Sequence, residues 1–583
     1  MNKLIFITVV IMVCVSAFLI IKQFSFPTRK NIKLYVTSDK VTYQPSEKVT
    51  IIVKIRNLGS QEILNSFLKI DVTDPFGKGI YSEERRIKKI EINEIKQVNI
   101  MWKAPENCLS GFVAKVSLLD NSGNLLANNY HIFDVVKDWI QVPRYGFFAT
   151  FSVSEDIDKK IEQMAGFHIN AIQFYDWFEY HGNYTPIKSE YTILNKPIIR
   201  DRVIKKIKKA QEIGMKAMAY TAIYAAAEPI YKEHPEWALR DKFGKPLKFE
   251  NWLYFMNPDS SSGWHDFLIK QFIESIKMFN WDGIHLDQYG KGWTENAYWN
   301  EARVDMEKAF LTFINDAINE IRKYNPRLKL IFNLVNAWPY ETIAKYSMSD
   351  AIYIEVWPPW NTYADIQKLI QIGKTYTNKA IILAAYTPNH LPTILLLDAT
   401  IFANQGFHIE LGEGNGILID PYFPKYATLS EDAEKALKIY YECITRYEAY
   451  IYDKDIQRLS EENVNISIYK SSGIPKLENI LVIPYSKQIN GKEQAKIIHL
   501  VNFIGIPTMS WKALQQEPKN IANIPIEVKI SRESIKNIEG VYFITPDRGN
   551  SDPILLNYVI SDFGIKFTIP SLKYWDIIII KFF

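Results

Sequence analysis

Strand-like and helix-like segments alternate along the middle of the chain, and this alternation most constrains its fold. The candidate strands are Tyr145–Phe151, His168–Tyr175, Met215–Ile223, Gly283–Asp287, Leu328–Val335, Ala351–Val356, Ala380–Tyr386 and Gly406–Leu411. Segments with helical spacing of apolar residues lie between them, including Asp156–Ala165, Arg202–Ile213 and Asp305–Tyr324. Strand–helix repeats predict a parallel sheet. Eight repeats within residues 139–446 predict a closed (β/α)8 TIM barrel.

Strand–helix alternation is also typical of a doubly wound open sheet, which is the alternative fold. Its dinucleotide-binding form requires the pattern G-x-G-x-x-G after the first strand. Here the first strand carries Gly146-Phe147-Phe148-Ala149, which lacks that pattern. We therefore favour the barrel, and no cofactor is indicated.

The regions on both sides of the predicted barrel are rich in short strands, which predicts a multidomain chain. An N-terminal Ig-like β-sandwich is expected over residues 31–138 and an antiparallel β-sandwich over residues 447–583. The N-terminal candidates are Ile32–Val36, Lys48–Arg56, Phe67–Val72, Val98–Trp102, Gly111–Leu118 and Tyr130–Val135. The C-terminal candidates are Val464–Tyr469, Ala495–Val501, Ile526–Ile530, Gly540–Ile544, Ile565–Ile569 and Ile577–Phe583.

The first 30 residues have the pattern of an export segment. Lys3 is followed by Leu4–Ile21 without a charge, and then by Lys22. This stretch predicts either a cleaved signal peptide or a retained membrane anchor through residues 4–21, with a buried core helix as the alternative. We expect the protein to be secreted, or anchored on the outer face of the cytoplasmic membrane.

Charge and cysteine content argue against two classes of ligand, nucleic acids and metal ions. A net charge of +4 from 69 basic and 65 acidic residues gives no indication of nucleic-acid binding. Cys14, Cys108 and Cys443 form no metal-ligand spacing, so no metal is expected. We expect a monomer.

Two of the candidate strands end in a carboxylate. One is Gly283–Asp287, and the other is Ala351–Val356 with Glu355 near its end. Barrel enzymes place their chemistry at the carboxyl ends of the strands. Because cleavage of a glycosidic bond uses two carboxyl groups, this pair predicts a glycosidase.

The neighbours of the two acids suggest different roles. Side chains alternate along a strand, so His285 shares a face with Asp287 and is expected to donate to it or orient it. Tyr353 and Trp357 flank Glu355, and apolar walls of this kind raise the pKa of a carboxyl group. The sequence therefore predicts Asp287 as nucleophile and Glu355 as general acid/base.

Further polar and aromatic residues follow the strands and are candidate contacts for a sugar chain. The substrate-binding candidates are Tyr175, Asp176, Trp177, His181, Tyr224, Asn257, His285, Asn333, Trp357, Glu410 and Glu413. For each polar member, capping or structuring of a loop is the alternative role. Trp293 and Trp360 could add aromatic surfaces for stacking.

Six motifs, in order, make the chain similar to glycoside hydrolase family 66, which contains dextranases and cycloisomaltooligosaccharide glucanotransferases. They are Gln173–Trp177 with His181, Met256–Pro258 with Trp264, Asp282–Asp287, Ile354–Pro358, Leu383–Tyr386, and His408–Glu413 with Tyr422-Phe423-Pro424. The resemblance implies retaining hydrolysis of α-1,6-glucosidic bonds in dextran. It also places the nucleophile at Asp287 and the acid/base at Glu355.

The resemblance leaves the reaction type open. Cyclising members of the family carry a carbohydrate-binding module late in the barrel, whereas only a short connection joins Tyr386 to Gly406 here. This departure favours an endo-dextranase over a transglycosylase. A third alternative is a non-catalytic glucan-binding surface protein, which the presence of both acids disfavours.

Overall fold

The computed structural model describes residues 31–106, 109–420 and 425–583. The predicted export segment, Cys14, Cys108 and the Tyr422-Phe423-Pro424 motif lie outside the described residues. Among the described residues, no helix combines the length and apolar character needed to span a bilayer. The chain forms a smaller unit of residues 31–39, Lys48–Trp102 and Val113–His131, and a larger unit of Lys40–Glu47, Lys103–Phe112 and Ile132–Phe583.

The smaller unit is formed by β-strands. One sheet contains Ile32–Ser38, Lys48–Asn57 and Ile95–Lys103, and another contains Leu125–Val135, Ser110–Leu119, Ile63–Thr73 and Gly79–Ile90 in that spatial order. Every N-terminal strand predicted from the sequence overlaps one of these. The sequence analysis missed Gly79–Ile90, because this edge strand has the charged run Glu83-Glu84-Arg85-Arg86, typical of edges exposed to solvent.

A curled sheet of parallel strands lies at the centre of the larger unit. Its strands are β1 (Tyr145–Phe148), β2 (Ala171–Phe174), β3 (Lys216–Ala222), β4 (Gly283–Asp287), β5 (Lys329–Val335), β6 (Ile352–Glu355), β7 (Ile381–Ala384) and β8, which has the segments Phe407–His408 and Leu411–Gly412. Each strand pairs in parallel with the next. The second segment of β8 pairs with β1, so the sheet returns to its first strand. Each of these strands overlaps a predicted one.

Helices connect the strands of the curled sheet. They are Ile157–Ala165, Arg200–Glu212, Gly263–Phe279, Met306–Tyr324, Tyr340–Tyr346, Tyr363–Tyr376 and Leu391–Ala403, and Glu431–Arg446 follows β8. Asp156 and Asp305, predicted as the first residues of two helices, are N-caps whose carboxylates accept from the backbone N–H of Lys159 and Lys308. The short helices Glu228–Glu233 and Lys291–Thr294 lie in the loops after β3 and β4.

Small antiparallel pairs extend the loops at the carboxyl ends of the strands. Glu190–Ile193 and Lys196–Ile199 follow β2, and Ala225–Ala226, Lys248–Phe249 and Leu253–Phe255 follow β3. Tyr298–Trp299 and Ala302–Arg303 follow β4, and Gly416–Asp420 and Lys425–Thr428 follow β8. The sequence analysis predicted none of these pairs, since each strand is only two to five residues long.

The C-terminal part of the larger unit contains two more sheets. One has the order Ile456–Arg458, Ile480–Ile489, Lys492–Asn502, Trp575–Phe582, Ile538–Ile544 and Ile554–Leu556, with Ser471–Ser472 beside Ile480–Ile489. The other has the order Val464–Ile466, Ile521–Lys529, Gly564–Leu572 and Tyr558–Ile560. Ile498 and Ile578 of the first sheet and Ile526 and Phe567 of the second belong to one apolar core. Every C-terminal strand predicted from the sequence overlaps an observed one.

The pairing of β8 with β1 depends on a glycine. A Cβ atom on Gly412 would lie 2.2 Å from the carbonyl oxygen of Phe147 and 2.4 Å from its ring, and a backbone oxygen in a sheet cannot move aside. We expect Gly412→Ala to lower the free energy of unfolding by about 1–3 kcal/mol. Gly292→Ala is the control, because no atom lies within 4 Å of its Cβ position. Thermal unfolding measures both, and equal midpoints for the two variants would contradict the expectation.

Candidate active site

A cavity of about 510 Å³ lies at the carboxyl edge of the curled sheet. Side chains from the ends of β2 to β6 and from the loops that follow them form its walls. Three acids line it, namely Asp176, Asp287 and Glu355. The aromatic residues that line it are Tyr175, Tyr220, Phe249, Trp252, Tyr289, Trp293, Trp338 and Trp357. The cavity therefore combines carboxyl groups with broad apolar surfaces.

Asp287, the last residue of β4, is held by three hydrogen bonds. The Tyr220 hydroxyl donates to Oδ2 at 2.6 Å, and the Asn333 side-chain amide donates to Oδ1 at 2.6 Å. The backbone N–H of Gln288 also donates to Oδ1, at 2.8 Å. Donors of this kind stabilise the ionised form of a carboxyl group.

Glu355, the last residue of β6, has fewer hydrogen-bond donors than Asp287. The Trp357 indole N–H donates to Oε1, and the Asn333 amide donates to Oε2, both at 2.8 Å. Asn333 lies on β5, between the two strands that carry the acids. Its nitrogen therefore contacts both carboxyl groups.

The shared contact limits the separation of the acids. The 2.6 Å and 2.8 Å contacts, laid end to end, limit the distance between Asp287 Oδ1 and Glu355 Oε2 to 5.4 Å. The two carboxyl groups thus lie on either side of one amide nitrogen, close enough to influence each other's ionisation.

The surroundings separate the proton affinities of the two acids. Burial raises the pKa of Asp287, but the hydrogen bonds from Tyr220, Asn333 and Gln288 counteract much of this effect. Burial and the adjacent charge of Asp287 raise the pKa of Glu355 further, against weaker opposition from Asn333 and Trp357. The first proton lost by the pair therefore comes from Asp287, and Glu355 retains its own.

Asp176 is a third acid in the cavity and lies in strained backbone. Its φ of 46° falls in the left-handed region, which an Asp adopts more readily than most residues do. Burial raises its pKa, while Lys196, with Nζ 3.9 Å from Oδ2, partly offsets the effect. Its buried Oδ2 accepts no hydrogen bond from the described residues and faces a cavity that can receive a polar ligand.

His285 differs from the prediction. It was expected to donate to Asp287 or orient it, but its Nδ1 lies 3.3 Å from the Tyr145 hydroxyl, and Tyr220 and Asn333 bind the carboxylate instead. Its ring packs edge-on against Tyr353, with centroids 4.7 Å apart. Burial lowers the pKa of His285 to about 3, so the ring is neutral and forms part of the apolar base of the site.

Comparison with known proteins places this chain in a family. The chain matches the sequence profile of glycosyl hydrolase family 66 over residues 38–579. The chain belongs to glycosyl hydrolase family 66. Its membership, together with the paired acids, supports a glycosidase-type enzyme that acts on glucans.

Family members with known activities share about a fifth to a quarter of their residues with this chain. Two cycloisomaltooligosaccharide glucanotransferases of Niallia circulans are 22% and 24% identical, covering 94% of this chain and 71% and 72% of their own length. A dextranase of Streptococcus salivarius is 22% identical, covering 81% of this chain and 67% of its own. The similarity thus extends to family members that carry out two different reactions.

A solved structure supports the fold. The crystal structure of a Paenibacillus cycloisomaltooligosaccharide glucanotransferase in complex with cycloisomaltoheptaose matches with a TM-score of 0.83 and 22% identity. The match covers 93% of this chain and 99% of that one. The multidomain arrangement, mostly β with a curled sheet, is therefore shared with a family 66 enzyme.

The structure brings many of the predicted site residues to the cavity. Besides the two acids, the lining includes Tyr175, Asp176, His181, His285, Asn333 and Trp357. His181 is 3% exposed, and burial lowers its pKa to about 3, so it is a neutral donor or acceptor.

Three predicted binding residues lie behind the cavity wall. Trp177 and Tyr224 are fully buried: the Trp177 indole donates to the Tyr220 carbonyl, and the Tyr224 hydroxyl accepts from the Tyr289 backbone N–H. Asn257 is also buried and accepts from the backbone N–H of Asp259. None of them is among the cavity-lining residues in the part of the chain that the structure describes. Trp177 and Tyr224 support the lining residues Tyr220 and Tyr289, whereas Asn257 structures its own loop through Asp259.

Glu413 also lies away from the cavity lining within the described ranges. It accepts from the backbone N–H groups of Ala149 and Thr150 and forms ion pairs with Lys160 and Lys206. Burial opposes its ionisation, but the two lysines outweigh burial and lower its pKa. Glu413 therefore joins the end of β8 to the end of β1.

Glu410 belongs to a separate buried cluster with Asp398 and His408, which has the donor types of a metal site. His408 Nε2 lies 2.9 Å from the Ala385 carbonyl oxygen, and Nδ1 lies 2.8 Å from Asp398 Oδ1. Both ring nitrogens of His408 thus lie within hydrogen-bond distance of oxygen atoms in the described residues. The Tyr441 hydroxyl donates to Glu410 Oε1, which places Glu410 in this network and outside the cavity lining of the described residues.

Tyr220 was missed by the sequence analysis although it binds Asp287. Ala222 pairs with Asp287 across β3 and β4, and Tyr220 shares the face of Ala222 because side chains alternate along a strand. Alternation along the predicted strand Met215–Ile223 was the signal that could have found it. Phe249 and Trp252 had no such signal, since they lie on the small strands after β3 or in their connection.

The raised pKa values predict the pH dependence of glucan cleavage. With Asp287 as the nucleophile that the sequence predicts, cleavage requires its ionised form, so kcat/KM should fall as the pH drops through the raised pKa of Asp287. With Glu355 as the predicted general acid, cleavage also requires its protonated form, so kcat/KM should fall as the pH rises through the raised pKa of Glu355. A plot of kcat/KM against pH should be bell-shaped. Both of its apparent pKa values should lie above those of ordinary Asp and Glu carboxyl groups, about 3.9 and 4.3. An alkaline limb near pH 4 to 5 would contradict the burial of Glu355.

Proposed function

We propose that this family 66 protein hydrolyses internal α-1,6-glucosidic bonds of dextran with retention of configuration. Asp287 is the nucleophile and Glu355 is the general acid/base. The observation that carries the proposal is the limit of 5.4 Å between Asp287 Oδ1 and Glu355 Oε2. Retaining glycosidases have carboxyl groups about 5–5.5 Å apart, whereas inverting enzymes leave about 6.5–9.5 Å for a water.

The reaction proceeds by two displacements at the anomeric carbon. A carboxylate oxygen of Asp287 bonds to that carbon while its bond to the glycosidic oxygen breaks, and Glu355 gives its proton to the departing oxygen. Glu355, now ionised, then takes a proton from water. The water oxygen bonds to the anomeric carbon and Asp287 is released. The separated pKa values support this assignment, because Asp287 starts ionised and Glu355 starts protonated.

The architecture supports the same reaction. We infer that the curled sheet is a (β/α)8 barrel with a β-sandwich on either side of it in the sequence, with domain boundaries at residues 31–138, 139–446 and 447–583. The parallel order of β1 to β8 and the pairing of β8 with β1 support the barrel. Both acids end strands at the carboxyl edge, where barrel enzymes position catalytic groups.

The aromatic walls favour attack within a chain. Phe249, Trp252, Trp293, Trp338 and Trp357 line the cavity around the acids. Aromatic rings offer flat apolar faces to sugar rings, and several of them can hold a chain on both sides of the cleaved bond. The dextranase and cycloisomaltooligosaccharide activities named for the relatives support an α-1,6-glucan as the substrate.

The connection between β7 and β8 favours hydrolysis over cyclisation. It contains the helix Leu391–Ala403 and leaves no room for an inserted carbohydrate-binding module between Tyr386 and Gly406. Transglycosylation by the same two acids is the second candidate, because the Niallia circulans relatives are glucanotransferases. Water or a sugar hydroxyl attacks the same glycosyl-enzyme, and the balance between them decides the product.

The site of action follows from the substrate. Dextran is too large to enter a cell, so we infer that the enzyme acts outside the cytoplasm as a monomer, either secreted or tethered through residues 4–21. Release of the enzyme to the medium, compared with retention on the membrane fraction, measures which form exists.

Dextran digestion tests the proposed activity. We expect the viscosity of dextran to fall rapidly relative to the release of reducing ends, with linear isomaltooligosaccharides as the main products, because internal bonds are cut. Starch and a β-glucan are the control substrates and should remain intact. Product sizing separates the alternatives: mainly cyclic products would indicate the transglycosylase, glucose alone would indicate an exo-acting pocket, and cleavage of starch alone would refute the proposal.

Variants of the two acids test their roles. Glu355→Ala should lower dextran cleavage by about 10²- to 10⁴-fold, because the leaving oxygen receives no proton. The same variant should still react with activated aryl glycosides, and azide should restore turnover. Asp287→Ala should abolish reaction with both substrates. Glu320→Ala, which removes an exposed acid on the helix Met306–Tyr324, is the control and should match the wild type. The reverse pattern would show that the two roles are exchanged.

A further inference from the structure

The strand order places Asn333 between the two acids of the cavity. It lies on β5, which pairs with β4 on one side and with β6 on the other. The two acids end those neighbouring strands. Asn333 is 3% exposed, and its Nδ2 lies 2.6 Å from Asp287 and 2.8 Å from Glu355. The amide nitrogen of Asn333, which the sequence predicted as a substrate contact, thus binds both carboxyl groups.

The acids determine how the amide of Asn333 is turned. The amide nitrogen carries two hydrogens, which match two acceptors, whereas the amide oxygen would face two carboxyl oxygens in the reversed orientation. In the orientation with the nitrogen inward, the buried Oδ1 accepts no hydrogen bond from the described residues. An unpaired buried acceptor costs stability, which indicates that the two donated hydrogen bonds compensate for it.

We propose that Asn333 is a positioning residue that donates to the negative charge of the pair in both steps of the reaction. The inference rests on the proposed double displacement. Before the first step the charge is on Asp287. When Asp287 bonds to the anomeric carbon and Glu355 loses its proton to the departing oxygen, the charge moves to Glu355. One amide in contact with both groups stabilises the charge on either side without moving.

The amide also sets the ionisation of both groups. Burial raises the pKa of both acids, and the donors of Asn333 oppose that rise on each. Among the described residues, the other titratable groups that act on the pair include Asp176, His285, Tyr175, Tyr184, Tyr220, Tyr224, Tyr289, Tyr353 and Tyr386. The tyrosines and the buried His285 stay neutral at moderate pH, because burial raises the pKa of the tyrosines and lowers that of His285. Asp176 adds a charge near Asp287, and substitution of Asn333 leaves it in place.

The test is a pH profile of two Asn333 variants. Asn333→Ala removes the donor, and Asn333→Leu removes it while filling the same space. We expect each to lower kcat/KM on dextran by about 10- to 100-fold, because hydrogen bonds to a charged group are lost. Without the donor the ionised form of either acid is less stable. Both limbs of the bell should therefore move to higher pH, by roughly one pH unit.

An aryl α-glycoside with a good leaving group separates the steps. Formation of the glycosyl-enzyme is measured by the burst of aryl alcohol, and its hydrolysis is measured by the steady-state rate. We expect both rates to fall in the Asn333 variants, since the donor acts on Asp287 in one step and on Glu355 in the other. Asn325→Ala is the matched control, because Asn325 caps the turn at the opposite end of β5 and accepts from the Arg327 backbone.

The outcomes distinguish this inference from the proposed function. Folded variants whose pH limbs match the wild type, or that slow only one of the two steps, would overturn the role of Asn333 while leaving the double displacement intact. Thermal unfolding shows which variants are folded, and the leucine variant replaces the alanine one where a cavity prevents folding. Release of the inverted anomer by the wild-type enzyme would refute the double displacement, and the inference with it.

Discussion

The site depends on one amide nitrogen that lies between two buried carboxyl groups. Because β4, β5 and β6 are neighbours in a parallel sheet, the ends of β4 and β6 flank a residue of β5. Asn333 fills that place and contacts Asp287 and Glu355. The short separation of the acids and the retaining chemistry that we propose follow from this contact. A sheet with a different strand order would carry the same residues without bringing them together.

Burial separates the pKa values of the two acids from those of ordinary carboxyl groups, and it also makes hydrogen-bond donors necessary. Removing carboxyl groups from water raises their pKa, so donors must hold the ionised member in its charged form. Asp287 receives a hydroxyl, a side-chain amide and a backbone N–H, whereas Glu355 receives an indole and the shared amide. This difference in donors gives two chemically similar acids different pKa values, as the proposed roles require. Apolar rings around them strengthen the effect by keeping the local dielectric low.

The sequence analysis was most successful where local pattern decides structure. Strand ends at Asp287 and Glu355 were visible because an apolar run stops at an acid, and two helices starting near Asp156 and Asp305 were visible from the spacing of apolar residues. The analysis was least successful for residues whose function depends on neighbours distant in sequence. Trp177 was expected to face a sugar but supports the wall, since nothing in the sequence distinguishes a buried ring from an exposed one.

The sequence by itself determined the succession of strands and helices, the two acids and the similarity to family 66, because periodicity, residue type and motif order are properties of the chain. The tertiary structure decided which side chains meet. It assigned Tyr220 to Asp287 in place of His285, and it placed Glu410 in a cluster outside the cavity lining of the described residues. The physical reason is that hydrogen bonds act over about 3 Å, and only strand order and curl bring residues tens of positions apart within that distance.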